Sequence, residues 1–215
     1  MTRVVVVTAG LGTPSSTRLL ADQLSEAVAT ALRDAGRDAQ VEVIELREHA
    51  HALADRMLTG FATGALAEAI ELVAGADALI AVTPVFSASY SGLFKTFFDV
   101  LEPRTLAGTP VLLAATAGTA RHSLVLEHAL RPLFAYLGSS PVPTAVFAAT
   151  EDFGGVEAQR LSARIQRAAG ELVALLGVTG VATGGPGSTS VPGHLRAVGQ
   201  ELPNPTPFEE LMRRA

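Results

Sequence analysis

A loop rich in glycine and hydroxyl side chains follows the first hydrophobic run of the chain. Val4 to Val7 are consecutive valines, and the segment AGLGTPSSTRLL follows from Ala9 to Leu20. A short, wholly apolar run of β-branched residues predicts a strand buried on both faces, and a helical pattern begins after the loop. Backbone amides and hydroxyls at a helix N-terminus bind phosphate. The sequence therefore predicts a phosphate site formed by Gly10, Ser15, Ser16 and Thr17.

The loop departs from the common glycine-rich phosphate motifs. A GxGxxG motif would need a glycine at Ser15, and no Gly-Lys-Ser/Thr is present. A pyrophosphate needs close approach of glycine backbone, whereas hydroxyl side chains can surround a terminal monophosphate. We therefore expect a monophosphate. Capping of the following helix is the alternative interpretation, because Ser and Thr are favoured N-cap residues.

A second loop, TPVFSASYSGLFKTFFD from Thr83 to Asp99, combines aromatic and small residues. Pro84 is expected to break the preceding strand. Phe86 and Tyr90 offer apolar surface, and the small residues between them let backbone approach closely, which suits a planar heterocycle. The predicted ring-binding residues are Pro84, Val85, Phe86, Ser87, Ala88 and Tyr90. The apolar residues that follow, Leu93, Phe94, Phe97 and Phe98, indicate core or subunit packing.

A third loop, ATAGTARHS, spans Ala115 to Ser123. Amide groups at Gly118 and Thr119 would donate to the carbonyl edge of a heterocycle and stabilise negative charge that develops there on reduction. His122 would do the same, or it would cap the helix that follows. The predicted binding residues of this loop are Ala117, Gly118, Thr119 and His122.

The elements that position these loops alternate along the chain. Apolar runs predict strands at 3–9, 41–46, 77–83, 110–116 and 144–149, and helical spacing predicts helices at 17–35, 66–73, 92–101, 124–137 and 156–176. The alternation predicts an α/β fold with a five-stranded parallel sheet and helices on both faces. The three loops then meet at the carboxyl edge of the sheet, where such folds bind ligands. Residues 1–176 are predicted as the binding domain, and 177–215 as an extended tail with a short terminal helix.

Composition excludes several classes of function. Hydrophobic residues make up 48% of the 215 residues and charged residues 17%, which is typical of a globular chain. The net charge of −5 gives no attraction to nucleic acid or to an anionic membrane. No apolar stretch reaches the roughly 18 residues of a membrane span. Cysteine is absent, so we expect a cytoplasmic protein without disulfides, and we predict no metal site.

Together the loops resemble the NAD(P)H-dependent FMN reductase family, which has a flavodoxin-like fold. AGLGTPSSTRLL is similar to that family's G-S-x-R-x-x-S-x-N/T-x-x-L motif, TPVFSASYSGLFKTFFD to T-P-x-Y-x-x-S-Y-S-G-x-L-K-x-x-x-D, and AGTARH to G-G-x-x-x-H. The similarity covers residues 3 to about 176. It is greatest to reductases that supply reduced flavin to a luciferase-like or sulfonate monooxygenase, and the TPFEELM ending resembles the luciferase-like group.

The resemblance implies FMN as cofactor or substrate and NADPH or NADH as hydride donor. It places the FMN phosphate at Ser15 and Thr17, with Gly10 and Ser16 beside them, the ring along 84–90, and its pyrimidine edge at Gly118, Thr119 and His122. It also implies a homodimer or homotetramer, with the Leu93 to Phe98 helix as a candidate interface. The family's Ser and Arg in the first motif are Gly10 and Gly12 here, its Tyr is Phe86, and His128 stands where sulfonate-system relatives often have tyrosine.

Other activities on the same scaffold remain open at this point. A quinone or azo-dye reductase would hold FMN tightly and reduce an organic acceptor. An electron-transfer flavodoxin would need acidic loops near the flavin, and segments 84–91 and 117–123 contain no acidic residue. A flavin-responsive binding protein would bind FMN without turnover. No side chain is expected to act as acid or base, so we predict binding residues and no catalytic residue.

Overall fold

The computed structural model describes residues 1–179 of the chain. Its strands are β1 (Thr2–Thr8), β2 (Ala39–Glu45), β3 (Ala78–Phe86), β4 (Ser89–Tyr90), β5 (Pro110–Ala117), β6 (Ser140–Pro141) and β7 (Val146–Ala149). The order across the sheet is β2-β1-β3-β5-β6, all parallel, while β7 also pairs in parallel with β5 and β4 pairs antiparallel with β3.

The short strands β6 and β7 together take the place of the fifth predicted strand. β6 pairs with the start of β5, at Pro110 and Val111, and β7 pairs with its end, from Ala114 to Ala117. Counted this way, the sheet has the 2-1-3-4-5 order of flavodoxin-like proteins. The predicted five-stranded parallel sheet and flavodoxin-like fold are confirmed.

Helices cover both faces of the sheet. They are α1 (Ser16–Asp34), α2 (Ala50–Thr59), α3 (Gly64–Ala74), α4 (Gly92–Asp99), α5 (Arg131–Tyr136) and α6 (Gly155–Thr179), with a π-helical turn at Leu126–Leu130 and 3₁₀ turns at Leu46–His49, Ala120–His122 and Thr150–Phe153. Side chains of α1 and α6 share one core cluster with Val4 and Val6. Those of α2 to α5 share another with Val5 and Val7. The strand β1 is therefore buried on both faces, as its uniform apolar run predicts.

Two helical segments differ from the sequence prediction. The helix α2 was not anticipated, because Leu53 is its one buried residue and a single apolar position gives no periodic stripe. The predicted helix 124–137 is divided instead into the π turn and α5, and the amide of Arg131 donates to the carbonyl of Leu126, five residues back. Pro132, which has no amide hydrogen, follows directly. The predicted tail, 177–215, lies almost wholly outside the described residues.

A cluster of aromatic rings joins α4 to α5. Phe94, Phe97 and Phe98 are all buried, and the Phe98 ring centroid lies 4.8 Å from that of Phe134 and 4.7 Å from that of Phe94. Edge-to-face and tilted rings at these distances attract each other beyond their burial. Core packing within the chain, one of the two expected roles of this helix, is confirmed for these phenylalanines.

Within residues 1–179, no single helix combines the length and hydropathy of a membrane span. Leu46–Thr59 and Gly64–Ala74 meet the length and composition criteria only when taken as a pair, and they are bent by 86° relative to each other.

The aromatic cluster generates a stability prediction. Phe98 is 2% exposed, so Phe98→Ala leaves a cavity between α4 and α5 and should lower the free energy of unfolding by about 3–5 kcal/mol. Phe61 is 77% exposed, and the control Phe61→Ala should change it by less than about 0.5 kcal/mol. Urea unfolding followed by circular dichroism measures both. Equal losses in the two variants would contradict the packing described here.

Candidate functional site

The loops after β1, β3 and β5 meet because these strands are neighbours in the sheet. The chain goes from β1 to β2 on one side and then crosses to β3 on the other. A reversal of this kind opens a crevice at the carboxyl ends of the strands. The structure thus brings together the three loops that the sequence predicts to bind a ligand.

The first loop closes tightly around Gly10. A Cβ built on Gly10 would lie 2.2 Å from Oγ of Ser15 and 3.2 Å from Cβ of Thr17, so a side chain there would displace the Ser15 hydroxyl from its present position. Ser15 is the N-cap of α1, and its Oγ accepts a hydrogen bond of 3.2 Å from the amide of Arg18. The capping role considered from sequence is therefore present. The hydroxyl proton of Ser15 is left to donate to a ligand.

Thr17 lies deeper than the other hydroxyl residues of this loop. Its side chain is buried, and its Oγ1 lies 2.7 Å from Oγ1 of Thr116, which is also buried at the end of β5. One hydroxyl donates to the other in such a pair, which leaves a single proton for an outside acceptor. Ser16, in contrast, is exposed at the first turn of α1. The pair ties the first loop to the central sheet.

A buried hydroxyl and free amides complete this end of the crevice. Oγ1 of Thr8 is the one buried side-chain polar atom without a hydrogen-bond partner in residues 1–179. Thr8 is the last residue of β1, and by strand alternation its side chain lies on the same face as Val4 and Val6, the face that α1 covers. The first amides of α1 also lack intrahelical acceptors. This donor set fits a phosphate group.

The second loop is a tight β-hairpin. Phe86 pairs with Ser89, and the two residues between them, Ser87 and Ala88, have φ of 48° and 67°. Both are in the left-handed region, as in a type I′ turn, where Asn-Gly is the usual sequence. Residues other than glycine are strained there by roughly 1–2 kcal/mol each. Strain of this kind concentrates at functional sites.

The base of the hairpin is fixed by hydrogen bonds. Oγ1 of Thr83 donates to the carbonyl of Pro84 at 2.9 Å and accepts from the amide of Ser91 at 3.1 Å. Oγ of Ser91 in turn caps α4 by accepting from the amide of Phe94 at 3.1 Å. All of these bonds are buried, so the turn is held from below by the sheet and by α4.

The expectation that Pro84 breaks the strand is wrong. β3 continues to Phe86, and Pro84 pairs with Thr116 of β5. The carbonyl of Val82 accepts from the amide of Ala9, so its backbone groups face β1. Backbone groups of successive residues point to alternate sides of a strand, so those of Pro84, two residues after Val82, point to the same side as those of Val82. Because β1 has ended at this level, the missing amide hydrogen of Pro84 would have pointed into the space beyond β1. No ladder hydrogen bond is lost there.

The aromatic residues of the hairpin point in opposite directions. Val85 pairs with Tyr90, and paired residues share a face, so Phe86 lies on the other face with Ser89. The Tyr90 ring is partly buried, with its centroid 6.1 Å from that of Phe94. Phe86 is exposed at the edge of the sheet. A planar ligand can therefore contact one of these rings directly, and the other supports the hairpin.

The third loop presents exposed residues after β5. Gly118, Thr119 and His122 are exposed, and Ala117 is half-buried. A Cβ added to Gly118 would meet nothing within 4 Å, so its surroundings are open to a ligand. Oγ1 of Thr119 accepts from the amide of Arg121 and starts the 3₁₀ turn that contains His122. The loop is thus exposed and accessible to a ligand.

An ion-pair network borders the first loop and was missed from sequence. Glu45, at the end of β2, bridges Arg18 of α1 and Arg47 of the following turn. Arg18 also donates a hydrogen bond of 2.8 Å to Asp22, and this bond raises the pKa of Arg18. The charges of Asp22 and Glu45 raise the pKa further, while partial burial acts in the opposite direction. Thr8 and Thr116 were missed as well. Their only signal is a hydroxyl at the carboxyl end of an apolar strand.

The described part of the chain contains no group of three His, Cys, Asp or Glu side chains arranged for a metal ion. The crevice instead combines hydroxyl and amide donors at one end with an apolar hairpin at the other. These are the groups that a flavin mononucleotide requires, with a phosphate at one end and a tricyclic ring at the other.

Comparison with known proteins agrees with this geometry. A family model described as NADPH-dependent FMN reductase matches residues 2–154. An FMN reductase (NADPH) of Pseudomonas aeruginosa is 37% identical over 177 residues, which cover 81% of this chain and 92% of the relative. The NADH-dependent FMN reductase SfnE of Pseudomonas putida is 38% identical over 176 residues, with the same coverage.

A solved structure is also similar. An oxidoreductase of Corynebacterium diphtheriae, known from X-ray analysis, is 51% identical in sequence and superposes with a TM-score of 0.81, over 83% of this chain and 98% of its own. These matches confirm the predicted activity and its cofactors, FMN with NADPH or NADH. By sequence and fold, the chain belongs to the NADPH-dependent FMN reductase family.

Proposed function

We propose that this NAD(P)H-dependent FMN reductase binds the FMN phosphate in the loop 9–17 and the flavin ring along the hairpin 83–91. The reduced flavin is then released to a flavin-dependent monooxygenase. The observation that carries the proposal is the meeting of a hydroxyl-lined loop and a strained hairpin at the reversal point of the sheet. Each end of that crevice matches one end of FMN.

The phosphate end is supported by the donors of Ser15, Ser16 and Thr17. Ser15 and Ser16 lie at the N-terminus of α1, where amides and the helix dipole favour an anion. Thr17 reaches the phosphate when Thr116 donates to it, because its own proton is then available. Gly10 keeps the loop close enough for these groups to converge.

The ring end is supported by the rigidity of the hairpin. Its base is fixed through Thr83 and Ser91, so Pro84, Val85 and the Ser87–Ala88 turn form a firm, small-residue edge against which a planar ring can lie. Phe86 contributes exposed apolar surface on one side of the hairpin. Tyr90 acts indirectly in this arrangement, since its ring packs towards Phe94.

The open third loop is assigned to the pyrimidine edge of the ring. Amides of Gly118 and Thr119 would donate to the ring carbonyls, and the exposed His122 would add a donor beside them. Bound FMN supplies the acceptor for the hydride of the reduced nicotinamide. The protein's part is to orient the two rings and to provide donors where negative charge develops, so no side chain is assigned as acid or base.

The exposure of the site is consistent with flavin that leaves after reduction. Phe86, Ser87, Ala88, Gly118 and Thr119 are all exposed in the single chain, so no element of residues 1–179 covers the residues that we assign to the ring. This arrangement favours the reductase that serves a monooxygenase over the quinone reductase that retains its flavin.

The cellular setting and assembly are further parts of the proposal. We infer a cytoplasmic enzyme that forms a homodimer or homotetramer, as the family resemblance implies. The phenylalanines of α4 are buried within the chain, so an interface on this helix would use its other side chains.

The activity has a direct measurement. Purified protein should oxidise NADH or NADPH only when FMN is added, as followed by the absorbance of the reduced nicotinamide. Equilibrium dialysis should show FMN exchanging freely between enzyme and buffer.

Flavin that co-purifies and stays bound, together with ping-pong kinetics on a quinone, would support the quinone reductase instead. Semiquinone stabilisation on reductive titration would support the electron carrier.

The threonine pair gives a matched test of the phosphate position. Thr17→Val and Thr116→Val each break the same buried hydrogen bond, so each should lower the free energy of unfolding by about 1–2 kcal/mol. Only Thr17→Val removes the predicted phosphate donor. Relative to Thr116→Val, it should weaken FMN binding by ~1–2 kcal/mol while leaving riboflavin binding unchanged. Flavin fluorescence quenching measures both ligands. Equal FMN affinity in the two variants would limit Thr17 to a structural role.

A further inference from the structure

The phosphate loop contains no cation of its own. Residues 9–17 contain no Lys or Arg, and Gly12 stands where the resembling family has arginine. A phosphomonoester carries a charge of roughly −1.5 to −2 at neutral pH. Backbone amides and hydroxyls bind such a group but leave much of its charge uncompensated. A cation from another part of the fold is therefore expected near Gly12.

Arg47 occupies that position. It lies in the 3₁₀ turn after β2, and its Nη1 donates to Oγ1 of Thr13 and, at 3.4 Å, to the carbonyl oxygen of Gly12. The side chain is 32% exposed, so it is partly shielded from solvent while its end group faces the loop. The guanidinium thus reaches the loop from the turn that follows the edge strand, 35 residues along the chain from Gly12.

The neighbouring Arg18 is less available for this role. Its Nε bonds Asp22 and its Nη1 bonds Glu45, so its donors are directed to two carboxylates. Arg47 shares only Glu45, through Nε at 3.0 Å. The Nη2 atoms of both arginines have no hydrogen-bond or ion-pair partner within residues 1–179, but only the Arg47 side chain also contacts the loop, at Gly12 and Thr13. Arg47 is therefore paired with one carboxylate where Arg18 is paired with two, so more of its positive charge is available to the loop.

Glu45 supplies the orientation. The Glu45 side chain is 18% exposed, and each of its carboxylate oxygens binds one arginine. A partly buried carboxylate of this kind holds the planar guanidinium of Arg47 by its Nε edge and leaves the opposite edge directed elsewhere. The contacts to Gly12 and Thr13 show that this edge is turned to the phosphate loop.

We propose that Arg47 determines the preference of this enzyme for phosphorylated flavin, by fixing the loop at Gly12–Thr13 and placing its positive charge beside the phosphate. The proposal rests on the proposed function, which puts the FMN phosphate in this loop. Arg47 makes no contribution to hydride transfer in this role. It separates FMN from riboflavin, which has the same ring and no phosphate.

The test compares both flavins with charge-removing and charge-retaining variants. Arg47→Gln removes the charge and shortens the side chain, and it should raise the dissociation constant for FMN about tenfold while that for riboflavin stays within about twofold. Arg47→Lys should retain most of the preference for FMN. The control Arg33→Gln removes a charge that contacts Thr30 near the other end of α1 and should change neither constant.

Flavin fluorescence quenching gives these constants, and thermal unfolding checks that each variant is folded. Added salt should weaken FMN binding less in Arg47→Gln than in the parent enzyme, because one charge contact is missing. Equal losses for FMN and riboflavin in Arg47→Gln would show a structural clamp only and overturn the proposal, as would unchanged affinity for both. If the parent enzyme itself does not prefer FMN, or if Thr17→Val is neutral, the phosphate position fails instead.

Discussion

Burial of β1 on both of its faces is the constraint on which the rest of the structure depends. Its valines belong to one core cluster with α1 and α6 and to another with the helices α2 to α5, and its backbone pairs with β2 and β3. A strand held on four sides cannot shift its register without exposing apolar residues. Its end is therefore fixed, and so is the start of the loop that we assign to phosphate.

The same fixed strand end explains the shape of the edge to which we assign the flavin ring. β1 makes its last pair at Thr8 with Val82, while β3 continues four residues further to Phe86. That difference in length creates the crevice, makes Pro84 acceptable in a strand, and leaves the hairpin standing above the phosphate loop. The strain at Ser87 and Ala88 persists because Thr83, Ser91 and the aromatic cluster hold the hairpin in place.

The sequence predicted the elements and loops that have a pattern within one continuous stretch of residues. It did not predict the contacts between residues that are distant along the chain. The buried strands and the amphipathic α1 have local patterns, so they and the loops between them were found. The helix α2 buries only Leu53, and no stripe marks it. In the site, the Thr17–Thr116 bond joins residues 99 positions apart, and its existence depends on the register of β5, which no local pattern of hydroxyls encodes.

The role of Arg47 follows from the same geometry. β2 is an edge strand with a single buried residue, Ile44. It therefore contributes fewer buried side chains to the core than its neighbour β1. Yet it is adjacent to β1, and its end brings Glu45 and the following turn alongside the first loop. An edge strand can carry charged residues that a central strand cannot. The turn after β2 can therefore place a cation beside the first loop without burying charge in the core, and in the proposed arrangement Arg47 supplies the charge that no residue of the loop carries.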